Sequence, residues 1–185
     1  MKKNFLSLIF ALLTISFVSA QDNIFKLDDK VLNVGIGLGS TLYGSGYTAS
    51  VPPISVSFEK CFLDGIAEKG TIGIGGYLGY TAYKWDYYDW GWKYSDFIIG
   101  PRGSFHYPLV DKLDTYTGLL MGYEILTSKE YGNYLPGYSN YTSRSGGFIW
   151  AWHAGARYYF NEQFAVMAEL GYGISYLTLG LSLKL

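Results

Sequence analysis

Arg102, Ser104 and His106 stand at every second position of one alternating segment, so all three line a single face. On that face the Ser104 hydroxyl and the His106 imidazole can touch, the pairing that acyl transfer asks of a nucleophile and its base. The same chemistry needs an acid to orient the imidazole and donors for an oxyanion. No acid stands beside His106, whose expected partner on the next strand is Tyr116. No catalytic residue is therefore assigned, and the chain is expected not to be an enzyme. His106 and His153 are the two histidines and lack metal-ligand spacing, so no metal site is expected. Gly44-Ser-Gly-Tyr-Thr-Ala49 matches a loose dinucleotide fingerprint, but Val51-Pro52-Pro53 follows where a helix would have to begin. No cofactor is expected. One cysteine, Cys61, excludes an internal disulfide framework.

A second set of residues is defined by charge. Glu59, Arg102, Glu124, Arg157, Glu169 and Lys184 fall on the glycine-rich face of six different segments, three acids against three bases. Glycine wastes backbone entropy on a solvated convex face and makes room on a concave one. The glycine face is thus expected to point inward, with a neutralised charge network filling a narrow interior, since an unpaired buried ion costs several kcal/mol. A selective pore is the other reading of the same charges. Eight strands leave an interior just wide enough for side chains, which favours the filled interior. If Phe160 pairs with Phe164, Arg157 and Glu169 become diagonal neighbours.

The elements that must position these residues are strands. Period-two alternation runs through residues 31–43, 53–61, 70–83, 94–107, 115–127, 147–160, 164–173 and 177–185. Leu177, Leu179, Leu181, Leu183 and Leu185, for example, alternate with Thr178, Gly180, Ser182 and Lys184. Most of these segments are long enough for the roughly 9–11 residues of a tilted membrane strand. Connectors at 43–52, 84–93 and 128–146 are longer than those at 62–69, 108–114 and 161–163, as outer loops are longer than periplasmic turns. Ile174-Ser175 reads as a tight turn that sets Tyr172 against Leu177 and Leu170 against Leu179. Pro101 falls in mid-strand and requires a bulge or a weak ladder position.

Composition and the N-terminus fix the setting. Of 185 residues, 19% are aromatic, 24 are glycine and only 16% are charged, which excludes disorder and suits strands facing something less polar than water. Lys2 and Lys3, an apolar stretch from Phe5 to Val18 and the small residues Val18-Ser19-Ala20 predict a signal peptide, residues 1–20, cleaved after Ala20. Removing Lys2 and Lys3 from 14 basic residues leaves 12 against 15 acids, a weak negative charge that gives nucleic acid no hold. Residues 21–30 then form a short periplasmic segment and residues 31–185 the barrel domain.

Signal peptide, eight alternating segments and the closing run from Glu169 to Leu185 together resemble the small outer-membrane β-barrel family of Gram-negative bacteria, the outer membrane protein beta-barrel domain, in which outer membrane protein X is similar in size. The resemblance covers residues 31–185. It implies an all-β fold, an eight-stranded antiparallel up-and-down transmembrane β-barrel, integral to the outer membrane with both termini periplasmic. Members typically end in an aromatic residue read by the barrel-assembly machinery; Leu185 departs from that pattern. The family mixes adhesins, channels, stabilisers and a few enzymes, so fold alone does not assign an activity. The implied role is structural or interaction-type, with outer-membrane lipid, the assembly machinery and an extracellular ligand or outer-membrane complex as partners. The alternatives are a narrow channel for small solutes and a lipid-modifying acyl-chain enzyme using Ser104 and His106. Tyr131, Tyr134, Tyr138 and Tyr141 lie far enough from the strands to serve as a surface-recognition set, since Tyr, Ser, Gly and Asn make adaptable binding surfaces. Trp85, Trp90, Trp92 and their neighbouring tyrosines read either as such a surface or as an interfacial girdle, with Tyr83 and Trp85 fitting the girdle.

Overall fold

A computed structural model describes residues 24–132 and 141–185. The signal-peptide segment and the loop tyrosines Tyr134 and Tyr138 lie outside the described residues. Eight strands follow in chain order: β1 (Lys30–Ser40), β2 (Thr48–Ile66), β3 (Gly70–Tyr87), β4 (Trp90–Val110), β5 (Leu113–Gly132), β6 (Thr142–Tyr159), β7 (Phe164–Gly171) and β8 (Ser175–Lys184). Each pairs antiparallel with its neighbours, and β1 closes the barrel on β8 from Val31 opposite Lys184 to Ser40 opposite Ser175.

The wall is apolar outside and polar inside, as the alternation requires. Ile36, Ile99, Met121, Trp150 and Leu181 are exposed, whereas Asn33, Ser57, Arg102, His106 and Arg157 are buried. In water such a wall would be unsatisfied on both counts; in lipid it matches the solvent, and the closed ladder leaves no backbone edge unpaired. Extraction should require detergent, and unboiled protein should migrate faster on a denaturing gel than boiled protein. Recovery in a detergent-free soluble fraction would contradict this wall.

Glycine makes the interior possible at particular points. A Cβ on Gly73 would come within 2.5 Å of the Glu59 carboxylate, and one on Gly155 within 2.6 Å of the Tyr116 hydroxyl. Both sites are holes into which a polar side chain of the next strand is laid.

Two expectations are modified, and a third, at Pro101, is decided between its alternatives. Strands β2 to β6 are longer than the alternation alone indicates, in β3 to β5 because polar aromatic sequence continues the ladder, whereas β1 and β7 end earlier, at Ser40 and Gly171. β3 and β4 run on to Tyr87 opposite Trp90, so residues 84–93 are a hairpin with a two-residue turn, where Tyr88 takes a positive φ of 54°. The β7–β8 register differs by two residues: Leu170, and not Tyr172, faces Leu177, which frees Tyr172 to Ile174 for the turn. The shift is even, so inside and outside faces are unchanged. Pro101 takes the weak ladder position: it faces Gly76 on β3 with no shift of register, and the β4–β5 pairing passes from Ile99 to Arg102 without it.

Strand lengths are unequal. β2 to β6 have 18 to 21 residues, while β1, β7 and β8 have 8 to 11. About half of β3, β4 and β5 therefore stands clear of an apolar band that needs only about ten residues to cross. This tall wall rises at the end of the β3–β4 hairpin, opposite the end that holds both termini.

Candidate functional site

Two regions concentrate functional side chains: the lumen and the axis-facing side of the tall wall.

The lumen is filled in three layers. At the end that holds the termini, Phe25 enters the mouth and packs with Val31 and Cys61. Its segment is held there by Asp28 N donating to Cys61 O, Cys61 N donating to Asp29 O, and Lys184 Nζ donating to Ile24 O. The Phe25 ring lies 4.5 Å from the His106 ring and 5.3 Å from the Arg157 guanidinium.

The middle layer is ionic. Arg157, fully buried, reaches Asp114 Oδ2 at 2.7 Å and Glu59 Oε2 at 3.5 Å. His106 sits between the same two acids, Nδ1 at 3.0 Å from Asp114 Oδ1 and Nε2 at 3.0 Å from Glu59 Oε1. Two carboxylates against one guanidinium leave one negative charge, which a second proton on this imidazole would cancel. A second pair lies above: Arg102 Nη2 donates to Glu169 Oε2 at 2.8 Å, and the Tyr116 hydroxyl donates to the same oxygen at 2.9 Å. Ser104 Oγ is 3.1 Å from His153 Nε2. A cavity of about 20 Å³, room for about one water, is lined by Arg102, Glu169, His153 and Thr178.

The third layer is apolar. Tyr77, Ile98, Leu120, Ala151 and Ile174 close the lumen above the ion pairs, with Leu42 and Ile149 against them.

The predicted charge network is thus brought together in part. Glu59, Arg102, Arg157 and Glu169 form the ionic layer. Glu124 lies towards the tall-wall end and only partly buried, near Asp96. Lys184 sits at the rim, 3.5 Å from Asp29. The β6–β7 register is as expected, with Gly155 facing Glu169. Arg157 nevertheless bonds acids on β2 and β5, and Glu169 takes Arg102 from β4. In a narrow barrel the path across the lumen is as short as a diagonal along the wall, so register does not select the partner.

Asp114 is the member that sequence reasoning missed. It was placed in the β4–β5 connector, whereas extending the face of Tyr116 and Gly118 by one step puts it inside. It is also the acid beside His106 whose lack argued against catalysis. The Ser104–His106 pair does not form: His106 is held between two acids, and Ser104 turns to His153.

The tall wall has two distinct faces. Towards the axis, Trp85 stacks on Tyr87 at 6.1 Å with planes 7° apart, Tyr83 on Tyr94 at 5.1 Å, and Trp92 on Tyr94 at 6.5 Å. Tyr43 and Tyr47 of the β1–β2 loop pack on Tyr83. Trp90 Nε1 donates to Glu130 Oε1 at 2.6 Å. These positions share the parity of the lumen residues on β3 and β4, so Tyr83 and Trp85 are not part of a lipid-facing girdle. That role falls to outward residues such as Trp150, Trp152, Tyr172 and Tyr176, all exposed. The recognition tyrosines divide: Tyr141 joins the axis face, 6.4 Å from Trp92, while Tyr131 lies on the outward face with Lys93 Nζ 4.8 Å from its ring centroid.

A closed wall of eight antiparallel strands, apolar without and polar within, is the fold of the eight-stranded outer-membrane β-barrels. Among solved structures, the chain is similar to Ail, the attachment invasion locus protein of Yersinia pestis, in complex with the heparin analogue sucrose octasulfate. The TM-score is 0.53 at 10% identity, over 86% of this chain and 96% of that one. A further structure of Ail gives 0.51 over the same shares. The N-terminal β-barrel domain of Pseudomonas aeruginosa OprF is 15% identical over 86% of this chain and 98% of that one, with a TM-score of 0.45. No family model and no curated protein matches the sequence.

Proposed function

We propose that the protein is an outer-membrane surface-recognition protein in which a filled barrel carries the tall wall as a binding face for an extracellular ligand or partner. The observation that carries this reading is the continuous aromatic surface of Trp85, Tyr87, Trp92, Tyr94 and Tyr141 on one side of the wall. Stacked rings with few rotatable bonds give contact area at low entropic cost. They are unneeded for the barrel itself, whose apolar closure is complete below them at Tyr77 and Ile98. In this reading export by the signal peptide and insertion by the assembly machinery place both termini in the periplasm and the tall wall outside the cell. That Ail, of the same fold, was crystallised in complex with a heparin analogue supports reading this barrel as a ligand-binding protein.

The channel and enzyme readings are less well supported. Two apolar layers and an ion-paired layer stand in the way of a permeating solute. Ser104 and His153 are 2% and 5% exposed, which gives an acyl chain no route to them. Purified protein in planar bilayers should therefore show no steady conductance.

The test displays the wild type and a Trp92→Ser, Tyr141→Ser variant on cells and applies both to an immobilised panel of neutral and sulfated oligosaccharides. Wild-type binding should fall at least tenfold in the variant at equal surface abundance. Absence of binding by the wild type, or equal binding by both, counts against the proposal.

A further inference from the structure

Opposite the aromatic face, the tall wall carries a row of cations. Lys84 on β3 faces Lys93 on β4, and Lys93 faces Lys129 on β5. Arg144 on β6 faces Thr127, one pair closer to the apolar band. All four share the parity of the lipid-facing residues. Adjacent strands are about 4.8 Å apart, so the three lysines span about 10 Å. Like charges directly opposite each other destabilise a sheet. Among the described residues the acids of this end offset Lys84 but not Lys93, Lys129 or Arg144. Asp86 pairs with Lys84 at 2.9 Å. Asp96 is buried on the axis side, with Glu124 beside it, and Glu130 is engaged there by Trp90 Nε1 and Tyr141 N. Apart from Asp86, which shares the outward face with Lys84, these acids face inward while the bases face outward across the same strands.

The height of the row decides what it meets. Below Lys84, Lys93 and Lys129 comes a row of Ala82, Ser95 and Thr127, and below that Tyr80, Phe97 and Ile125. Each row of tilted strand rises about 5 Å, so the lysines stand about 10 Å above the last apolar row, at headgroup level when the apolar residues meet acyl chains. Lysine and arginine at such a boundary extend their charge outward while their stems stay on apolar surface.

We propose that Lys93, Lys129 and Arg144, with Lys84 at the edge, form a docking site for the phosphates of an anionic lipid in the leaflet around the tall wall. A lipid is favoured over a free anion because the wall continues below the cations as the apolar strip of Phe97, Ile99, Tyr123 and Ile125, where the same molecule's acyl chains lie. A span of about 10 Å suits a headgroup bearing two separated phosphates. The site is independent of the aromatic face and stands or falls separately from it.

The test is native mass spectrometry of the full-length protein in detergent with diphosphoryl lipid A, monophosphoryl lipid A or phosphatidylcholine. The variants are K93Q/K129Q/R144Q and, as a control at the opposite end, K30Q/K60Q. All these positions are on the surface, and a heat-modifiable gel band verifies folding. The wild type and control should retain the diphosphoryl lipid at least tenfold more than phosphatidylcholine, with the monophosphoryl form between. The triple variant should lose that preference, and millimolar inorganic phosphate should not displace the lipid. Equal retention by wild type and triple variant would overturn the site. Displacement by inorganic phosphate would make it a free-anion site and overturn the lipid assignment.

Discussion

Replacing Arg157 by methionine is expected to cost about 3–5 kcal/mol of unfolding free energy, the penalty for leaving buried charges without their partner. Glu59 and Asp114 would then face each other across His106 alone, in a layer sealed by Phe25 on one side and Tyr116 on the other. Methionine keeps most of the volume, so the loss reads charge and not cavity. Adding Asp114→Asn should return part of it, since the second substitution removes the acid that the first one strands. Urea unfolding of protein folded into vesicles supplies the measurement. Strict additivity of the two changes would show that these residues do not act as a pair. Glu169→Gln should couple to Arg157→Met far more weakly, because Glu169 takes its hydrogen bonds from Arg102 and Tyr116.

The second large effect concerns the outer wall. Ile99→Arg places a cation in the middle of the apolar band and should cost about 2–4 kcal/mol, whereas Ser95→Arg, on the same strand and face, should cost about 0–1. Ile99 is exposed between Phe97 and Pro101, and Ser95 lies one row below the lysines. The fraction of heat-modifiable protein after folding into vesicles, together with the unfolding midpoint, separates the two. Equal penalties would mean that depth in a bilayer has no part in stabilising this wall.

The sequence made the barrel legible because one rule, alternation, was obeyed by all eight segments and tied to one solvent. Leu32 to Leu38 and Leu177 to Leu185 could each be read alone. The β6–β7 register was legible too, since Asn161 to Gln163 leaves no freedom in the turn. The β7–β8 register was not: Tyr172-Gly173-Ile174-Ser175 admits turns that differ by two residues, and both keep every face correct. Partners across the lumen were beyond reach for a different reason. Alternation states that Arg157 points inward but not how far around the wall its guanidinium travels, so Asp114 and Glu59 could not be chosen over Glu169. Asp114 itself was lost because the alternation is read from Thr115, whereas β5 begins two residues earlier at Leu113. The apolar layer was missed because Ile98 and Leu120 sit on a face defined by its polar members. The tall wall was missed because tyrosine, tryptophan and glycine read as loop, although cross-strand aromatic pairs also stabilise a sheet.

The unequal strands set a direction of approach. With β7 and β8 ending at Gly171 and Ser175 while β4 and β5 continue to Trp90 and Gly132, the mouth has a screen on one flank and a doorstep on the other. The aromatic rings look across that doorstep, level with the surface. A molecule arriving from the side, still attached to the surface from which it projects, can reach them without passing over the rim. The screen itself shields them from behind, so the protein has a front and a back in the plane of the membrane.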